Sequence, residues 1–148
     1  MTNSVKRGYL SPFSHHYYLF ESQDITFIVK GLRAFWSYKE GVNPSGSPRR
    51  FSTLMDAINN KRPQVKGWLV TKLSEETLDS SLNQMKYKFE HPSLGIQIYT
   101  SNMNRFVGYL KGYNSSGIAK GNTSFWKTLK GSISSTPDGW ICSSNKLN

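Results

Sequence analysis

The sequence predicts an α+β fold, a small single domain spanning residues 1–148 with an antiparallel sheet and two main helices at about 50–61 and 75–90. Three observations lead there. Short runs of β-branched and aromatic residues recur between turn formers, two segments carry apolar residues at helical spacing, and no regular strand–helix–strand alternation appears. A chain of 148 residues can bury one such core without disulfides or metal. Its eight Phe, eight Tyr and four Trp supply the bulk.

In chain order, residues 1–16 show no period and read as an irregular N-terminal arm. Tyr17–Phe20 and Ile25–Lys30 read as strands around a turn, and Arg33–Tyr38, rich in aromatics, as a third. The run Glu40-Gly41-Val42-Asn43-Pro44-Ser45-Gly46-Ser47-Pro48 is a loop. The first helix follows, because Phe51, Leu54, Met55 and Ile58 fall on one face and Lys61, Arg62 and Pro63 suit its end. Val65–Leu73 reads as a strand. The second helix starts after Ser74 with Glu75 and Glu76 in the dipole-favoured first turn, and carries Leu78, Leu82, Met85 and Phe89 to a stop at His91-Pro92.

Gly95–Thr100 and Arg105–Tyr113 alternate and read as a hairpin. A helical turn at Ser124–Lys130, a turn at Pro137-Asp138-Gly139 and a strand at Trp140–Cys142 complete the pattern, with 143–148 a frayed tail. No internal repeat and no long linker is evident.

Charge narrows the classes of partner. Nineteen Lys and Arg against nine Asp and Glu leave a formal net charge of +10, which steers the chain toward polyanions. From His91 to Pro137 there is no Asp or Glu, while Arg105, Lys111, Lys120, Lys127 and Lys130 alternate with Tyr99, Phe106, Tyr109, Tyr113, Phe125 and Trp126. If Ile96, Ile98, Phe106 and Leu110 face the core, the hairpin displays Tyr99, Arg105, Tyr109, Lys111 and Tyr113 outward, rings to stack on bases beside cations for phosphates. Arg49 and Arg50 ahead of the first helix form a second candidate phosphate contact, and Lys61 and Arg62 a third. Trp126 reads either as a core ring or, with Lys127 and Lys130, as a stacking group.

Catalytic signals are thin. His15, His16 and His91 have no spacing that fits acid–base work. The single cysteine, Cys142, has no second cysteine to pair with, and no metal-ligand spacing appears. Neither cofactor nor metal is expected. No secretion signal and no membrane span is read, so an intracellular protein of the cytoplasm, nucleus or nucleoid is expected. The reading is a small, basic, non-catalytic nucleic-acid-binding protein that favours single-stranded DNA or RNA. The alternative is a protein-interaction factor (inhibitor, adaptor or accessory subunit) docking on an acidic protein, and a nuclease ranks third.

Overall fold

The computed structural model describes residues 16–145. Of the expected arm only His16 lies among them, and residues 146–148 fall outside. Six strands form one sheet: β1 (Tyr17–Glu21), β2 (Thr26–Lys30), β3 (Leu69–Lys72), β4 (Tyr87–His91), β5 (Ile96–Thr100) and β6 (Ile141–Ser144). Their order is β3-β1-β2-β5-β4-β6, with every pair antiparallel. The five helices among the described residues are α1 (Leu32–Glu40), α2 (Phe51–Ile58), α3 (Glu75–Asn83), α4 (Met103–Lys111) and α5 (Asn122–Leu129). The fold class is α+β.

Alternation along the strands gives the sheet two buried faces. Phe20, Phe27, Val29, Phe89 and Ile98 meet Leu32, Phe35, Trp36, Leu54, Phe106 and Phe125 of α1, α2, α4 and α5 in the main core. Leu19, Ile28 and Tyr99 point the other way, where Leu78 and Leu82 of α3 cover them.

Several segments differ from their sequence-based expectation, and of the Val65–Leu73 strand only Leu69–Lys72 is strand, because Val65 and Trp68 close a turn on each other. Arg33–Tyr38 lies in α1, because Leu32, Phe35 and Trp36 bury one helical face between Gly31 and Gly41. Arg105–Lys111 lies in α4 rather than a hairpin strand. Met103, Phe106 and Val107 are buried at helical spacing, and the Asn102 side chain accepts the Arg105 N–H at 3.0 Å as an N-cap. The second helix stops at Asn83, so Phe89 reaches the main core from β4 while Leu82 stays on the opposite face. At the C-terminus Ser143 and Ser144 complete β6, and the Asn145 side chain donates to Leu82 O and Met85 O at 2.9 Å each. The expected fraying therefore does not begin at residue 143.

The chain is internally duplicated, contrary to the reading of the sequence. Each half runs strand, strand, helix, loop, helix, strand: β1-β2-α1-α2-β3, then β4-β5-α4-α5-β6, with α3 the connection. Tyr18, Phe20 and Glu21 correspond to Tyr87, Phe89 and Glu90, and Tyr38 and Trp68 correspond to Tyr109 and Trp140. The loops between the paired helices match bond for bond. Asn43 N–H donates to Ser47 O and Asn114 N–H to Ile118 O, while Arg49 N–H donates to Gly41 O and Lys120 N–H to Gly112 O, all at 2.8–3.0 Å. Gly41 (φ 84°, ψ 179°) and Gly112 (φ 88°, ψ 174°) hold a conformation that essentially only glycine adopts. The repeat escapes a fixed-period search because the second half has a longer β-turn, Pro92–Gly95 against Gln23-Asp24, so the spacing slips.

Candidate nucleic-acid interface

The duplication places two loop–helix units on one face of the sheet, at opposite ends. α2 packs on β3 and α5 on β6, the two edge strands, roughly 24 Å apart at a strand spacing of about 4.8 Å. Arg49 and Arg50 precede α2, and Lys61 and Arg62 follow it; Lys120 precedes α5, and Lys127 and Lys130 lie on or just past it. Sequence reasoning chose most of these, but missed Lys120, the counterpart of Arg49, because the repeat was not seen.

Among the acidic groups on this side, Asp56 lies half-buried on α2 without an ion pair among the described residues, and the others are engaged. Glu40, whose side chain is only 7% exposed, pairs with Arg50 at 3.3 Å and Lys66 at 3.0 Å. In the second half the same two positions hold Lys111 and Asp138, which also pair, with the signs exchanged. Arg49, Lys61, Arg62, Lys120, Lys127 and Lys130 are exposed and, among the described residues, form no ion pair. The Arg49 guanidinium does donate to Val42 O at 3.2 Å, and that of Arg62 to Gln64 O at 3.0 Å, so both are partly oriented. Glu75, Glu76 and Asp79 stand on α3, across the sheet.

The expected display of tyrosines and cations on a hairpin does not exist, because its second strand is helix α4. Tyr99 is 6% exposed beneath α3, and its hydroxyl donates to Gln97 at 3.0 Å. Tyr109 packs against Phe27, Trp68 and Phe106, and burial pushes its phenol well above the ordinary range. Tyr99 cannot stack on a base without local unfolding, and the half-buried Tyr109 ring is already covered by the Lys39 ammonium at 4.1 Å and by Trp68. Lys111 is held by Asp138, and Arg105 lies 3.8 Å from Asp24 at the end of the sheet. Tyr113 is exposed (45%), standing over Gly108, where an added Cβ would lie 2.1 Å from the ring. Trp126 is exposed too (37%), its ring edge-on to Tyr87. The second half therefore offers two open rings, Tyr113 in a cleft with Arg105 and Asp24 and Trp126 on the helix that carries Lys127.

Two candidate catalytic groups, His91 and Cys142, are tied into the structure, and His15 lies outside the described residues. His91 is buried between Asp138 O at 2.7 Å and the Ser93 hydroxyl at 3.1 Å. Burial pushes the Cys142 thiol up to about 12, which leaves it protonated and unreactive at neutral pH. Among the described residues no group of three or more His, Cys, Asp or Glu is placed to hold a metal ion, and no helix is long and apolar enough to cross a membrane. No family model matches the chain, and no match was found among curated proteins or solved structures.

Proposed function

We propose that this protein binds nucleic acid through the helical layer of its sheet, without catalysing a reaction on it. The observation that carries this reading is the segregation of charge. Six exposed cations with no ion-pair partner among the described residues (Arg49, Lys61, Arg62, Lys120, Lys127 and Lys130) stand on two equivalent units of one face, while Glu75, Glu76 and Asp79 stand on the other. Asp56 of α2 offsets part of this charge, and the remaining surplus of cations attracts phosphates. Tyr113 and Trp126 add stacking surfaces, which suit unpaired bases.

The test is fluorescence anisotropy of a labelled single-stranded RNA and the matching DNA between about 50 and 200 mM salt. Affinity falls steeply with salt, and Arg49→Glu together with Lys120→Glu flattens the dependence. Affinity that ignores both salt and these substitutions overturns the reading.

A further inference from the structure

The two halves treat their edge strands differently, and the difference comes down to one side chain. Leu73 N–H donates to Tyr17 O at 2.9 Å. In an antiparallel pair this fixes which residues turn their backbone toward the neighbour, and they alternate. Leu69 and Thr71 face β1, so Val70 and Lys72 turn N–H and C=O to the open edge. In the second half Asn145 N–H donates to Lys86 O at 2.9 Å, and by the same alternation Cys142, the counterpart of Val70, faces outward.

There the edge is closed at Cys142. Cys142 N–H donates to the Thr128 hydroxyl at 2.9 Å, and that hydroxyl donates in turn to Phe125 O at 2.7 Å. Thr128 lies on α5 where α2 has Ala57. Alanine offers no oxygen, and among the described residues nothing accepts the Val70 N–H. A groove of about 590 Å³ opens at this place, between the end of α2 and the β3 edge, lined by Ala57, Lys61, Arg62, Pro63, Leu69 and Val70. Leu69 is 53% exposed at its rim. Val70 is buried as a residue (6% exposed), so its amide stands in a place where a missing hydrogen bond is costly.

We propose that the β3 edge takes an added strand, an extended acidic segment of a partner protein. Main-chain bonds to Val70 and Lys72 would continue the sheet, apolar side chains would lie beside Leu69 on one face, and the alternate, acidic ones would turn to the helical face, where they would meet Lys61, Arg62 and Lys72. Those three cations form no ion pair among the described residues, and they select the sign of the partner. A basic strand is repelled. This site is independent of the nucleic-acid reading, although Lys61 and Arg62 serve both.

The experiment uses the full chain and a capped peptide of alternating Glu and Val, with alternating Lys and Val as control, followed by amide NMR shifts and hydrogen exchange. The acidic peptide perturbs the Val70 and Lys72 amides saturably and slows their exchange, and the basic peptide does neither. Ala57→Thr copies the second half's own closure without changing charge. It weakens the peptide by about tenfold, as the loss of one strand hydrogen bond implies, and raises the melting temperature because the Val70 N–H gains an acceptor, while nucleic-acid affinity stays as in the parent. Four results overturn the proposal: no perturbation at millimolar peptide, perturbation centred elsewhere, equal binding by Ala57→Thr, or a Val70 amide already protected before peptide is added. In the last case another part of the chain or a second copy covers the edge. Loss of RNA or DNA binding by the parent protein would sink the nucleic-acid reading alone.

Discussion

The Trp140 indole N–H donates to the Tyr38 hydroxyl at 3.2 Å across the boundary between the two halves, with the rings edge-on at 5.6 Å. Tyr109 of the second half packs on Trp68 of the first in the same manner, at 5.1 Å and 76°. Each half thus places a helix tyrosine on the other half's tryptophan. This reciprocity is that of an isologous dimer interface, built here within one chain, and it ties the two units into one core.

Tyr38→Phe removes the acceptor of an indole that is fully buried. The expected loss is about 1–3 kcal/mol, the usual cost of leaving a buried donor unpaired. Urea unfolding followed by tryptophan fluorescence and by circular dichroism checks it. The two probes should still report one coincident transition, since the halves share their core.

Thr128→Ala opens the second edge as the first already is. Cys142 N–H loses its acceptor, with an expected loss of roughly 1–3 kcal/mol and faster exchange of the Cys142 amide. An exchange rate unchanged from the parent would show that the hydroxyl does not close the edge.

The Asp138–Lys111 pair sets a pH window. Burial works to raise the Asp138 carboxyl, but hydrogen bonds from Lys111 and Thr136 outweigh it and hold the group below the usual carboxylate range. Its stabilisation is present above the unfolded value of about 3.9 and is lost as pH falls through the lower folded value. Burial works to lower Lys111, and Asp138 outweighs it, so the ammonium is held above its ordinary range. That contribution is complete below about 10.4 and lost as pH rises past the folded value. Both side chains are well solvated (29% and 40% exposed), so the pair is worth under about 1 kcal/mol. The melting temperature of Asp138→Asn should lie slightly below the parent's from about pH 5 to 9 and converge with it at low pH.

Cys142 is 1% exposed and its thiol is pushed up to about 12 by burial. Disulfide reagents at pH 8 should leave it untouched in the folded protein and titrate one thiol after denaturation.

On the binding face, Trp126→Ala and Tyr113→Ala should each weaken single-strand binding by about 1–3 kcal/mol if they stack on a base. Tyr99→Phe should change nothing, because its ring lies under α3. Arg49→Ala and Lys120→Ala should each lower the salt slope by about 0.7 on a single strand. Anisotropy titrations at three salt concentrations separate the two kinds of effect.

The sequence by itself determined the charge balance, the aromatic supply of the core and the elements with a strong local signature. α2 was legible because Phe51, Leu54 and Ile58 repeat at helical spacing before a Lys61-Arg62-Pro63 stop. β1 and β2 were legible from alternation around a turn. Local pattern failed for α1 and α4, where aromatic residues of strand-like propensity sit at positions that also satisfy a helix. Only burial of Phe35 and Phe106 against Phe27 and Phe89 decides between the two periods.

Tertiary structure alone decided the candidate sites. It turned Tyr99 and Tyr109 inward, left Tyr113 and Trp126 open, and set Arg49 and Lys120 in equivalent places at opposite ends of one face. It also set Ala57 beside Val70 where Thr128 stands beside Cys142. The reason is physical: exposure, and whether a backbone amide finds an acceptor, depend on partners brought together from distant parts of the chain. Residue type and spacing fix which side chains are available, and packing fixes which of them remain free to bind.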